Sequence, residues 1–190
     1  MEGIYIKKDK CTVQFITFFE EDWLIVINDN TTSIAESAFA YSDVERILFK
    51  GRYSSIGEKA FEGCEELTTV IFGELWKDKT LADKEKSILK NLTLASARGD
   101  YIIQANAFKD CAKLATLVLP KVDDNHKLVI ENDAFCACGA LRTVVALCDT
   151  IDFTGNPFAN EAEHLTFVCK ENSGVARFAR EHGYRSVYVG

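Results

Sequence analysis

Proline occurs twice and glycine 11 times in 190 residues, and neither gathers into a run, so no low-complexity linker divides the chain. Long apolar stretches are also missing. The longest, Trp23 to Ile27 and Val144 to Cys148, fall far short of the roughly 20 residues a membrane-spanning helix needs. The opening MEGIYIKKDKC is too polar for a secretory signal. Positive charge is short: 22 Lys and Arg face 29 Asp and Glu, and the net charge of −7 works against nucleic acid and against anionic membranes. Seven cysteines is an odd number with no CxxC pair or Cys/His cluster, which argues against a disulfide framework or a zinc site. Cys136 and Cys138 form a C-x-C without a second ligand pair, and His126, His164 and His182 share no motif. G-x-S-x-G, P-loop and H-E-x-x-H patterns are absent, so no enzyme, metal or cofactor is expected.

What is present is a repeat. IGEKAFEGCEELTTVIF from Ile56, IQANAFKDCAKLATLVLP from Ile103, IENDAFCACGALRTVVA from Ile130 and the looser IAESAFAYSDVERILF from Ile34 share the pattern I-x-x-x-A-F-x-x-C-x-x-L-x-x-V-x-L. The reference phenylalanines are Phe39, Phe61, Phe108, Phe135 and Phe158, at steps of 22, 47, 27 and 23. The step of 47 is about two periods. It predicts a further unit centred on Asp83, with Leu89, Leu92 and Leu94 at apolar offsets, and an inserted surface helix in LADKEKSILK is the alternative. Trp23 to Ile27 aligns with the strand part of the following unit and predicts an N-terminal capping strand.

Alternation within the strand segments separates two faces. The inward pairs are Ile25/Ile27, Ile47/Phe49, Val70/Phe72, Leu92/Leu94, Leu117/Leu119, Val144/Ala146 and Phe167/Cys169. Three-residue steps in A-F-x-x-C-x-x-L suit a short helical or 3₁₀ turn, which would stack Phe, Cys and Leu into ladders and bury Cys64, Cys111 and Cys138. No single unit buries enough apolar surface to offset its ordering entropy, so the units must stack. The fold expected is a solenoid of about seven strands, with a parallel sheet on one face and short turns on the other. One domain over 1–190 divides into an N-terminal cap at 1–30, about six repeats at 31–170 and a C-terminal cap at 171–190.

Over about residues 23 to 170 this pattern resembles the BspA-like leucine-rich repeats, and ENSGVARFAREHGYRSVYV resembles their usual end, a short helix followed by a last strand. The resemblance implies a helix with Ala176, Phe178, Ala179 and Tyr184 buried, closing the open edge of the sheet. It is specific for architecture and not for activity.

Solenoids commonly bind on the sheet surface. The outward rows are Leu24, Arg46, Thr69, Asn91, Thr116, Thr143 and Thr166, and Val26, Leu48, Ile71, Thr93, Val118, Val145 and Val168. An aliphatic stripe open to water often marks an interface, while the plainer readings are that β-branched residues simply stabilise the sheet or that the insertions in the longer units cover the stripe. Leu48, Thr69, Ile71, Thr116, Val118, Thr143, Val145, Thr166 and Val168 are therefore the candidate partner-binding residues. The insertions at Ala97 to Asp100 and Val122 to Lys127 are candidate recognition loops. Glu20, Glu21, Asp22, Asp29, Asp123 and Asp124 suit solvated turns, with a weak calcium site at the last two as the sharper alternative. The expected function is a non-enzymatic protein-interaction scaffold for an unidentified protein or peptide, with self-association open. Alternatives are an exported adhesion or glycan-binding module and a structural spacer. The cytoplasm is slightly favoured over the cell surface that family resemblance implies.

Overall fold

The computed structural model describes residues 7–8, 11–12, 16–19, 24–27, 33–49, 55–72, 96–97, 100–122, 125–159 and 164–189. Two sheets, parallel throughout but for one terminal strand of the larger, run along a solenoid. The larger has eight strands: Ile16–Phe19, Leu24–Ile27, Arg46–Phe49, Thr69–Phe72, Thr116–Val118, Thr143–Ala146, Thr166–Cys169 and Arg185–Tyr188. The smaller has five: Ser33–Ile34, Ser55–Ile56, Tyr101–Ile103, Leu128–Ile130 and Ile151–Phe153. The second sheet goes beyond the expectation from sequence, which took the first Ile of each unit as the start of the pattern and not as a strand. That residue points inward, with Ile34, Ile56, Ile103 and Ile130 all buried.

Register corrects the unit expected at Asp83. Thr69↔Thr116 and Val70↔Leu117 are direct partners, as are Ser55↔Ile102 and Ile56↔Ile103. Phe61 also stacks directly on Phe108, at 5.0 Å between centroids. Three layers of contact thus pass from the unit of Phe61 to that of Phe108, and no coil stands between them in either described sheet. Leu89, Leu92 and Leu94, with the outward Asn91 and Thr93, lie outside the described residues. Length and apolar offsets together suggested a coil there, and the register of the flanking strands leaves it no place in the two sheets. Five coils with two strands each result.

The remaining inward pairs behave as alternation requires: Ile47, Phe49, Val70, Phe72, Leu117, Leu119, Val144, Ala146, Phe167 and Cys169 are all buried. The reference phenylalanines form a continuous stack, with centroids 5.0, 5.0, 5.1 and 5.3 Å apart and nearly parallel rings. Backbone bonds hold this stack in step. Phe39 N–H donates to Ala60, Phe61 to Ala107, Phe108 to Ala134 and Phe135 to Pro157, at 2.7 to 2.8 Å.

Within each A-F-x-x-C segment, bonds of the i→i−3 kind close a turn, as from Ala38 N–H to Ala35 and Ala40 N–H to Ser37. Two left-handed residues interrupt it in each of the first four coils: Ser37, Lys59, Asn106 and Asp133 at one offset, and Tyr41, Gly63, Asp110 and Ala137 at the other. These reversals aim alternate N–H groups along the stack, so the segment bonds to its neighbour and does not wind into a helix. Gly57 is needed for packing: a Cβ there would lie 2.6 Å from the backbone nitrogen of Glu36.

Both ends are capped. Leu24–Ile27 pairs in parallel with Arg46–Phe49, as the N-terminal capping strand was expected to do, and Ile16–Phe19 adds an antiparallel strand outside it. At the other end the helix Gly174–Glu181 starts at Ser173, whose Oγ accepts from Ala176 N–H at 3.2 Å. It buries Val175, Ala176, Phe178 and Ala179, and Phe178 stacks on Phe153 at 3.9 Å. Tyr184 Oη donates to the carbonyl of Phe158 and to Asn156 Oδ1. The helix closes the end of the core, but Arg185–Tyr188 extends the sheet by one more strand, whose far side pairs with no other strand among the described residues.

Candidate functional site

The outward face of the large sheet carries two rows whose members are bonded neighbours. One is Arg46, Thr69, Thr116, Thr143, Thr166 and Arg185, and the other is Leu48, Ile71, Val118, Val145, Val168 and Val187, with Leu24 and Val26 paired to Arg46 and Leu48 in the backbone register. Register therefore confirms the rows read from sequence, apart from Asn91 and Thr93, and adds a member at the far end of each.

Exposure divides them. The four threonines and Arg46 are half-buried. Leu48, Ile71, Val118, Val145 and Val168 are between 0% and 7% exposed and form an apolar cluster of their own, separate from the main core, with Leu147 and Val189 packed against it. The expected stripe open to water is corrected accordingly: these five side chains are a second small core on the outer side of the sheet. Alternation shows which face a residue takes, but not whether that face meets water.

The two recognition loops come together. Ser96–Ala97 pairs in parallel with Lys121–Val122, so the insertions share a two-stranded sheet. Asp100 Oδ1 accepts from the Lys127 N–H at 2.8 Å, and Lys127 Nζ reaches Asp152 at 2.8 Å. Asp123, Asp124 and the acidic residues of the first 30 positions lie outside the described residues, and with them the calcium alternative. Among the described residues no group of three or more His, Cys, Asp or Glu could hold a metal, and no helix is long and apolar enough to cross a membrane.

The cysteine ladder is structural. Cys64, Cys111 and Cys138 donate their thiols to the carbonyls of Phe39, Phe61 and Phe108 at 3.1 to 3.2 Å, and Ser42 stands beside Cys64 at 3.4 Å. Burial raises the Cys64 and Cys169 thiols above their ordinary value. The neighbouring Cys138 thiol, then burial, raises Cys111. Raised thiols are poor nucleophiles.

They also set a pH dependence. A thiol that keeps its proton longer in the folded state contributes fully below its unfolded value, near 9.0, and that contribution is lost as pH climbs past it. Unfolding free energies from urea titrations are expected to hold from pH 6 to 8 and fall above 9, by about 1.4 kcal/mol per pH unit for each such thiol. Cys111→Ala is expected to fall less steeply. An equal fall in both proteins would show that the ladder is not responsible.

The repeat pattern matches the model of the BspA type leucine-rich repeat region, in six copies over residues 32–166. Among curated proteins none matches the chain. The crystal structure of a T. pallidum leucine-rich repeat protein is similar at a TM-score of 0.54 and 20% identity, covering 89% of this chain and 87% of that one. Such a likeness bears on fold alone, and repeat families of this kind suggest protein-interaction scaffolds in general. Stacked Phe and Cys ladders, parallel strands in register and the matched copies agree, and the chain belongs to the BspA-type leucine-rich repeat family.

Proposed function

We propose that the chain is a non-enzymatic protein-interaction scaffold that contacts its partner through the threonine row and the paired insertions beside the sheet. The observation that carries this reading is the row itself. Thr69, Thr116, Thr143 and Thr166 stand in register on neighbouring strands, half-exposed, with Arg46 and Arg185 at its two ends. Each hydroxyl both donates and accepts, and neighbours are held about 4.8 Å apart by the sheet. A surface fixed before binding loses little entropy on association.

Beside this row, on the same face, the buried aliphatic cluster supports the strands and is not itself the contact. Of the nine candidate residues, the threonines are those a partner reaches without displacing anything. The six free thiols among the described residues, five of them buried, fit a reducing compartment, so the cytoplasm stays the favoured location.

Thr116→Trp with Thr143→Trp tests the reading, because both side chains are half-buried and point away from the core. The double variant is expected to keep its melting temperature and to lose the proteins that cross-link to the wild type. Equal capture at equal stability would reject the face as the contact surface.

A further inference from the structure

We propose that Arg185–Tyr188 is a docking edge that takes an extended, acidic segment of a partner polypeptide as an additional strand. This goes beyond the scaffold reading, since it concerns the end of the sheet and not its face, and either can fail alone.

Among the described residues this strand is hydrogen-bonded on one side only, to Thr166–Cys169. Arg185 N–H donates to Leu165 and Val189 N–H to Cys169. Backbone groups alternate sides along a strand, so Ser186 and Tyr188 turn their N–H and C=O groups to the open side. Open edges of this kind pair with extended peptides, the backbone supplying affinity and alternate side chains supplying selectivity.

Side chains mark the same edge. Three large apolar residues are exposed among those described, and two are here: Val187 at 52% and Tyr188 at 46%. Val187 continues the row Leu48, Ile71, Val118, Val145, Val168, whose other members are all at 7% or less. An apolar residue opposite Val187 would extend that buried row by one.

Charge selects an acidic partner. Arg185 is exposed, as are Arg177 and Arg180 on the helix leading into the strand, and none of the three enters a salt bridge among the described residues. Lys113, Lys127 and Lys170, by contrast, each meet a carboxylate. Residues 171–190 hold three arginines against two glutamates, in a chain whose net charge is −7. A carboxylate opposite Arg185 and an aliphatic residue opposite Val187 fall two positions apart on one face of the added strand.

Fluorescence anisotropy of the full chain tests this, with a labelled octapeptide of alternating glutamate and valine and its lysine counterpart. The glutamate peptide is expected to saturate and the lysine peptide not to bind. Tyr188→Pro removes a donor on the open side and leaves the bonds to Thr166–Cys169 in place, so it should weaken binding at least tenfold at an unchanged melting temperature. Ser186→Pro does the same should Tyr188→Pro melt lower, and Arg185→Glu should abolish the preference for glutamate. No binding of the glutamate peptide overturns the proposal, as does binding as tight as the wild type's in both proline variants, or equal binding of the two peptides. A mass that rises with concentration in light scattering, and stops rising in Tyr188→Pro, would give the edge to a second copy of the chain and overturn the acidic partner.

Discussion

Phe108→Ala is expected to lower the free energy of unfolding by about 3 to 5 kcal/mol, the range for deleting a fully buried phenylalanine ring. Phe108 is wholly buried between Phe61 at 5.0 Å and Phe135 at 5.1 Å, so the substitution removes two aromatic stacks together with the ring's own burial. The cavity has little means of collapsing. Phe61 N–H is bonded to Ala107 at 2.7 Å and Phe108 N–H to Ala134 at 2.8 Å, and these fix the spacing of three consecutive coils. In a solenoid each coil holds only its neighbours, so a defect in the middle weakens two interfaces at once. Phe39 provides the comparison, since it sits in the first coil, is 7% exposed and stacks on Phe61 alone among the reference phenylalanines. Urea denaturation of both variants should place Phe39→Ala well above Phe108→Ala in midpoint. Equal midpoints would mean that the stack is not held from both sides.

That stack was legible because one residue type recurs at one offset. The Phe spacing, the Cys64, Cys111 and Cys138 ladder, and the Ala176, Phe178, Ala179 and Tyr184 face of the cap all follow from periodicity or resemblance, and the structure places each where it was expected. The left-handed positions were not legible. Ser37, Lys59, Asn106 and Asp133 share a conformation but no side-chain type, and Tyr41 and Ala137 are residues that seldom adopt it. Bonds between coils fix those angles, and they are invisible to local propensity. The unit expected at Asp83 meets a related limit: leucines at repeat spacing satisfy the pattern whether or not the flanking strands leave room for a coil between them. For the candidate site, rows and register were readable, whereas burial depends on what packs over a face. No single strand's sequence holds that information.

Burial of the aliphatic row leads to the other large expected effect, in Val118→Asp. Val118 is fully buried, with Ile71 and Val145 in register on either side at 2% and 3% exposure. A carboxylate placed there must either leave water while charged or take up a proton, and the cost is expected to exceed about 3 kcal/mol at pH 7. Thr116 lies two residues earlier on the same strand and the same face but is half-buried, so Thr116→Asp should cost less than about 1 kcal/mol. The pH profile gives a second readout. Burial raises the new carboxyl above its unfolded value of about 3.9, so its penalty is absent below that pH and grows as pH rises through it. Denaturant midpoints of Val118→Asp should therefore approach those of the wild type near pH 4 and diverge toward pH 7, while Thr116→Asp tracks the wild type throughout. Were both variants mild and parallel in pH, the stripe would be open to water after all, and contact with a partner would return to Leu48, Ile71, Val118, Val145 and Val168.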